Sequence, residues 1–157
     1  MTIGRSSGRV SLLAGGFIAA CAVAWAVSPA PEAAVSRTTQ DAGLQWGPCP
    51  EFMPKGCEIA VLHGDPAKPN ADVFFRVPGK AEIPSHWHTS AERMVLVAGE
   101  MQVTYAGQAP TTLRPGTYAY GPAKAEHHAN CTSASPCTLF IAFEGPVDAQ
   151  PAGAASK

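Results

Sequence analysis

Several side chains in the middle of the chain have the types and spacing of a metal-binding site. His86 and His88 are separated by one residue, so on a β-strand both imidazoles point to one face and can share a metal ion. Glu92 follows after three intervening residues and could supply a carboxylate ligand. A second segment contributes His127 and His128, which face opposite ways on a strand, so that one of them points inward. The pattern predicts a metal site assembled from separate segments.

The elements that must position these residues are short β-strands. Runs rich in Val, Ile, Leu, Phe and Tyr are bounded by turn signals such as Gly99-Glu100, Pro115-Gly116 and Gly121-Pro122. The chain contains 15 Gly and 15 Pro and shows no convincing helical periodicity. We expect an all-β sandwich or barrel, with strands at residues 58–63, 71–77, 93–98, 101–105, 117–120, 126–131 and 137–144.

Composition limits the class of protein. The chain has 157 residues, which is enough for one domain. Lys and Arg number 11 against 12 Asp and Glu, and a formal net charge of -1 indicates no nucleic-acid partner. Charged residues make up only 15% and hydrophobic residues 46%, which excludes disorder of the polar, highly charged kind.

The first residues have the features of a secretory signal peptide. Arg5 and Arg9 precede an apolar run at residues 10–27, and Ala24-Trp25-Ala26 fits the small-residue pattern of a cleavage site. We expect a signal peptide at residues 1–26, with no membrane insertion after cleavage and a periplasmic or secreted mature protein.

Two alternatives remain for this segment. Ile18-Ala19-Ala20-Cys21 resembles a lipoprotein box that would place a lipid on Cys21. The apolar run is also just long enough for an uncleaved anchor. All three interpretations place the domain outside the cytoplasm. The remaining chain is then expected to form a linker or N-terminal extension at 27–47, a folded domain at 48–148 and a flexible tail at 149–157.

Cysteine usage agrees with export. Cys49, Cys57, Cys131 and Cys137 lie beyond the signal segment, and an even number in an exported chain indicates disulfides. Four cysteines allow three pairings, of which we favour the local one, Cys49 with Cys57 and Cys131 with Cys137.

The histidine segments resemble the two sequence motifs of the cupin superfamily. The first motif, G-x5-H-x-H-x3,4-E-x6-G, is similar to this chain at His86, His88, Glu92 and Gly99. The second, G-x5-P-x-G-x2-H-x3-N, is similar at Gly116, Pro122, Lys124 and His127. The resemblance covers about residues 57–146, and the chain looks like a small exported single-domain bacterial cupin.

Three departures from the motifs affect turns rather than ligand positions. Gly79 is one residue too far from His86, Asn130 is one residue too close to His127, and Lys124 stands in place of a glycine.

The resemblance implies a cupin double-stranded β-helix, a jelly-roll barrel, with one divalent metal held by His86, His88, Glu92 and His127. The motif spacing selects His127 over His128. Three imidazoles and one carboxylate suit Mn, Fe, Ni, Co, Cu or Zn. Four ligands on a six-coordinate ion would leave two positions open for chemistry.

The surroundings of such a site are only weakly specified. Met94 and Leu96 lie two and four residues after Glu92, so on the predicted strand they point to the same face as Glu92 and could line a pocket. Tyr118 and Tyr120 share a face with each other and could add phenol donors, although core packing is the commoner role for tyrosine.

The resemblance leaves the activity open. A mononuclear metal-dependent enzyme, dioxygenase-like or isomerase-like, acting on a small organic substrate is the leading hypothesis. The alternatives are a non-catalytic metal or small-ligand binding or sensor module, and a domain in which the metal only braces the barrel. Cupins often dimerise through sheet edges, so a homodimer is one expected assembly.

Overall fold

The computed structural model describes residues 1–2 and 32–153 of the chain. The chain divides into two units, Met1–Ala34 and Val35–Lys157. Of the first unit, the described residues 1–2 and 32–34 are exposed and lie outside regular structure. The predicted signal peptide therefore falls almost entirely outside the described residues and stays a prediction. Within the described part, no helix has the length and hydropathy needed to cross a membrane.

The second unit is built from β-strands, as the sequence predicts. The described residues contain no helix. The eleven strands of the described region are β1 (Trp46–Pro48), β2 (Glu58–His63), β3 (Asp72–Val77), β4 (Glu82–Trp87), β5 (Glu92–Ala98), β6 (Met101–Tyr105), β7 (Thr111–Leu113), β8 (Tyr118–Gly121), β9 (His127–Cys131), β10 (Cys137–Phe143) and β11 (Gln150–Pro151).

The strands form two antiparallel sheets. The larger has the order β1-β2-β3-β10-β5-β8, and the smaller has the order β11-β4-β9-β6-β7. Neighbours in each sheet are mostly distant in sequence, which is typical of a jelly roll rather than of a simple meander. The prediction of an all-β jelly-roll fold is confirmed.

The hydrophobic core lies between the two sheets. Alternate residues of the central strands supply it: Val73, Leu96 and Ile141 come from the larger sheet, and Ile83 and Met101 from the smaller. Leu96 and Met101 are fully buried. The strand alternation read from the sequence thus fixes which side chains face inward.

The folded region extends beyond both predicted boundaries. At the N-terminal side, the expected linker contributes Leu44 and Trp46, which pack with Phe74 on a second small core cluster. The Arg76 guanidinium lies 3.9 Å from the centroid of the Trp46 ring. The last residues of the predicted linker or N-terminal extension therefore pack against the folded domain instead of remaining free of it.

At the C-terminal side, the expected tail begins as a strand. β11 pairs with β4, with Gln150 opposite Trp87 and Pro151 opposite His86. The prediction of a flexible tail from residue 149 is wrong for residues 149–151, because the free edge of β4 offers backbone partners that its own sequence does not reveal.

Both disulfides follow the local pairing favoured from the sequence. Cys49 bonds Cys57 with an S–S distance of 2.02 Å, and Cys131 bonds Cys137 at 2.06 Å. The first closes the loop between β1 and β2, and the second closes the turn between β9 and β10.

Candidate metal centre

The four predicted ligands lie at strand ends that meet at one end of the barrel. His86 is near the end of β4, His88 follows that strand, and Glu92 opens β5. His127 opens β9 and is directly opposite His86 in the ladder between β4 and β9. Because β4 ends where its neighbour β9 begins, the antiparallel pairing brings both histidines to the same place.

The three imidazoles form a compact cluster. One ring nitrogen from each of His86, His88 and His127 lies within 4.8 Å of the other two, and all three residues are buried. Ring centroids are 4.3 Å apart for His86 and His127, and 5.0 Å apart for His86 and His88. The Glu92 carboxylate oxygens lie 3.6 Å from His88 Nε2 and 3.5 Å from His127 Nε2.

Backbone carbonyls orient all three rings. The Nδ1–H groups of His86 and His127 donate to Pro84 O at 2.7 Å and Ala125 O at 3.0 Å. His88 Nδ1–H donates to Asp148 O. A carbonyl oxygen can only accept, so each Nδ1 carries the proton and each neutral ring presents the lone pair of Nε2. This is the arrangement found in metal-ligating histidines.

Glu92 is buried without a hydrogen-bond partner for one of its oxygens. The Tyr105 hydroxyl lies against the Glu92 carboxylate, and this interaction offsets part of the effect of desolvation on the pKa of Glu92. Neither Oε1 nor the hydroxyl has a hydrogen bond of good geometry among the described residues. Gly121 lies opposite Glu92 in the sheet, and a Cβ there would lie 2.7 Å from Glu92 Oε1. Only glycine leaves room for the carboxylate in this position.

Burial governs the ionisation of the four groups when no cation is present. Desolvation lowers the pKa of His86 and of His127 to about 4, and it also lowers the pKa of His88. Desolvation raises the pKa of Glu92 to about 8. The neutral imidazoles are ready to act as ligands, whereas the carboxylate lacks a positive charge that would stabilise its ionised form.

A cavity of about 260 Å³ opens onto the cluster. Apart from the four candidate ligands and Asp148, its lining consists of hydrocarbon and sulfur: Cys49, Pro50, Met53, Ile59, Phe75, Ile83, Met94, Met101, Val103, Ala129, Leu139, Ile141, Phe143, Val147 and Ala149. The loop between β1 and β2 contributes Met53 to this lining, and it also places the Phe52 ring 6.2 Å from the His86 ring.

The predicted pocket residues divide into two groups. Met94 lines the cavity, whereas Leu96 is fully buried in the core without lining it. Tyr118 and Tyr120 are 60% and 48% exposed, so the prediction that they line the pocket is wrong, as is the core alternative. In β8 it is Ala119, opposite Met94, that takes the inward position. His128 is exposed and points away from the cluster.

Sequence reasoning missed two residues that hold the cluster. Tyr105 packs its ring 4.8 Å from the His127 ring. Asp148 supplies the backbone oxygen for His88, and its Oδ1 accepts the Thr89 N–H at 3.0 Å. Tyr105 falls on the predicted strand 101–105 and could have been found from its alternation with Met101 and Val103. A backbone carbonyl has no signature in sequence.

The turn before His127 also bears on the site. Lys124, at the second glycine position of the motif, has a φ of 62°, a left-handed conformation that favours glycine. Its N–H donates to His88 O at 2.8 Å. The substitution of lysine for glycine therefore keeps the backbone geometry of the motif.

The arrangement fits a divalent metal ion. Three accessible lone pairs on neutral imidazoles and a buried carboxylate oxygen that lacks a hydrogen bond of good geometry form a donor set for first-row transition metals. A cation among them would stabilise the ionised carboxylate. His86, His88, Glu92 and His127 are the residues that could hold it.

Comparisons with solved structures agree on the fold. DMSP lyase DddQ from Ruegeria pomeroyi is 20% identical over 73% of this chain, with a TM-score of 0.60. An acetylacetone dioxygenase from Acinetobacter johnsonii is 20% identical over 75% of this chain and 77% of its own, with a TM-score of 0.56. An RmlC-like cupin from Shewanella frigidimarina is 18% identical over 72% of this chain and 93% of its own, also at 0.56.

These likenesses have limits. The chain spans 64% of the length of the R. pomeroyi lyase. At such identities the structures show a shared fold, and the reactions in their names belong to those proteins. No match to a curated protein is found.

A match to a protein-family model shows to which family the chain belongs. The model described as the ChrR cupin-like domain matches residues 35–148, a range that includes β1 to β10 and all four candidate ligands. This agrees with the cupin motifs read from His86 to His127 and with the two antiparallel sheets. The chain belongs to the ChrR cupin-like domain family of the cupin superfamily.

Proposed function

We propose that this protein holds one divalent transition-metal ion and is a metal-dependent enzyme, dioxygenase-like or isomerase-like, acting on a small organic substrate. The observation that supports this most is the convergence of three oriented imidazoles and a buried carboxylate on a cavity of about 260 Å³. When bound, such an ion supplies Lewis acidity and open coordination positions.

The polar and apolar residues of the cavity would have different roles. His86, His88 and His127 bind the ion through Nε2, and the carbonyls of Pro84, Asp148 and Ala125 keep their rings in place. The apolar lining excludes water from the substrate and strengthens electrostatic interactions at the polar end of the cavity.

Glu92 would balance part of the charge of the ion with its carboxylate. Desolvation raises the pKa of this group to about 8 when no cation is present, and a bound cation would favour the ionised form that acts as a ligand.

A second candidate function is supported by a specific observation. Among the described residues lining the cavity, Asp148 is the only titratable side chain besides the four candidate ligands. A site with so few acid–base groups is also suited to non-catalytic binding or sensing of a metal or small ligand. Turnover of any substrate by the metal-loaded protein would decide for the enzyme.

Export is the remaining part of the proposal. Two disulfides in a domain of this size are typical of proteins that fold outside the reducing cytoplasm. Together with the signal sequence predicted at residues 1–26, they support a periplasmic or secreted location. Detection of the mature protein in a periplasmic or culture fraction, without residues 1–26, tests this.

The metal site is tested by elemental analysis of protein purified without chelator or immobilised nickel. We expect about one equivalent of Mn, Fe, Ni, Co, Cu or Zn per chain. His86→Ala should abolish stoichiometric binding. His128→Ala is the matched control, because it removes an exposed imidazole from the same strand as His127, and it should retain the metal. Full occupancy in His86→Ala would refute the ligand assignment.

A further inference from the structure

We infer that the cavity selects a compact organic molecule with one polar end directed at the metal and an uncharged, apolar body, and that it rejects molecules with a second charged group. This inference rests on the proposed function, since the metal would bind the polar end. It adds the chemical class of the substrate, which neither the fold nor the ligand set determines.

The first support is that, among the described residues lining the cavity, no side chain beyond the ligands carries a positive charge or a hydrogen-bond donor. Of the described residues that line the cavity, none is Lys, Arg, Ser, Thr, Tyr, Asn or Gln. Two nearby arginines are engaged elsewhere: Arg76 pairs with Glu58 at 2.6 Å, and Arg93 pairs with Glu144. A second carboxylate or phosphate on the substrate would therefore be buried without a partner.

The second support is the sign of the charge on Asp148, the one ionisable side chain besides the ligands among the described residues lining the cavity. Asp148 lines the cavity, and its Oδ1 accepts the backbone N–H of Thr89 at 3.0 Å. An anionic group on the body of a substrate would meet this carboxylate as a like charge. Charge repulsion and the cost of desolvation both weaken the binding of a dianion in this cavity.

The third support is the sulfur content of the lining. Every methionine of residues 32–153, namely Met53, Met94 and Met101, lines this cavity. Thioether side chains are flexible and polarisable, and they adapt to apolar bodies of different shape, aromatic rings included. They offer no strong hydrogen bond to a polar body.

The energetic difference is large enough to measure. Burying an unpaired charge in an apolar site is strongly unfavourable, so we expect a discrimination of at least about tenfold between molecules that differ only in a distal carboxylate.

The experiment uses two pairs of probes of equal skeleton. Butyrate and succinate share a carboxylate head, and butyramide and succinamate share an amide head; in each pair only the second member carries a distal carboxylate. Binding is followed by NMR shifts of the backbone amides of Met94 and Val103, in the full chain with one equivalent of Zn²⁺ and in the metal-free chain.

We expect butyrate to bind the zinc-loaded chain at least about tenfold more tightly than succinate, and butyramide to bind the metal-free chain more tightly than succinamate. The amide pair is compared only without zinc, because the carboxylate of succinamate would itself bind the ion. Equal or tighter binding of succinate by the zinc-loaded chain, or of succinamate by the metal-free chain, would overturn the inference. So would the failure of butyrate and butyramide to shift any cavity amide up to their solubility limits.

A substitution in the lining adds a gain-of-function test. Met53 is 9% exposed and sits on the loop between β1 and β2 rather than on a barrel strand, so lysine can replace it with its amine near the cavity mouth. Met53→Lys should bring succinate binding up to that of butyrate, whereas Met53→Leu should retain the native preference. An unchanged preference in a folded Met53→Lys protein would contradict the inference.

The outcomes separate this inference from the proposed function. Failure of the chain to bind a stoichiometric metal overturns the proposed function, while the amide pair still tests selection by the cavity. One equivalent of metal combined with a preference for succinate supports the metal centre and overturns the substrate class.

Discussion

The ligand cluster, His86, His88, Glu92 and His127, and the apolar lining of the same cavity are buried to a similar degree but have opposite effects on stability. In the lining, Ile141 and Met94 face each other across β10 and β5 and gain free energy from leaving water. In the cluster, burial disfavours the charged form of every member. The candidate metal centre therefore lies where the metal-free fold gains the least free energy from burial.

The largest effect on stability is expected in the apolar lining. Ile141→Ala removes methyl and methylene groups from a buried position and should lower the free energy of unfolding by about 2–5 kcal/mol. Val97→Ala, at a position that is 40% exposed, is the control and should cost far less. Chemical denaturation of the metal-free chain measures both, and a smaller loss for Ile141→Ala than for Val97→Ala would contradict the comparison.

Replacement of either disulfide by two serines should cost about 2–3 kcal/mol, given loops of 8 and 6 residues. The two differ in their effect on the cavity. Cys49 lines it, together with Met53 of the same loop, so Cys49→Ser with Cys57→Ser should also weaken butyramide binding. Cys131→Ser with Cys137→Ser should affect stability alone. Equal effects on binding would mean that the first disulfide does not shape the cavity.

The effect of pH on the stability of the metal-free chain should be smaller than the effect of losing a disulfide. The pKa shifts of Glu92 and of the histidines change stability in opposite directions as pH rises. Glu92 has its pKa raised from an ordinary 4.5 to about 8, so the folded state holds a proton that the unfolded state has lost, and stability falls as pH rises through this window. His86 and His127 have their pKa values lowered from 6.5 to about 4, so stability rises with pH between those values.

Thermal unfolding of the metal-free chain should consequently show a maximum near pH 6.5 and a decline toward pH 8. Glu92→Gln removes the group that titrates between 4.5 and about 8, so it should abolish the decline on the alkaline side and steepen the rise in stability between pH 4.5 and 6.5, where Glu92 opposes the histidines. Persistence of the decline in this variant would assign it to another group.

The smallest effect is expected for the two exposed tyrosines. Tyr118→Ser replaces a side chain that is 60% exposed and should change the free energy of unfolding by no more than about 0.5 kcal/mol. Metal content, measured by elemental analysis, should remain as in the native chain. A loss of metal would show that the outer face of β8 influences the ligand cluster.

Much of the fold was predictable, because strand alternation and turn residues are local signals. The motif spacing also selected the four residues that the structure brings together. The sequence did not predict which face of β8 points inward. The alternation of side chains along a strand shows that Tyr118 and Tyr120 share a face, but not which face it is. Only the close approach of Glu92 and Tyr105 to Gly121 shows that the small residues of β8 must face inward. β11 was missed because its pairing depends on the free edge of β4, to which its own residues give no clue.

The hydrogen bond from His88 to Asp148 O joins the ligand cluster to the segment that leads directly into β11, the last strand of the described region. An ion that binds only when His88 is held in place must also favour the closed state of β11. Binding then raises the free energy of opening that strand in proportion to the logarithm of the free metal concentration. Hydrogen exchange at Gln150 and Ala152 would slow accordingly, so a surface strand without a ligand of its own would report on occupancy inside the barrel.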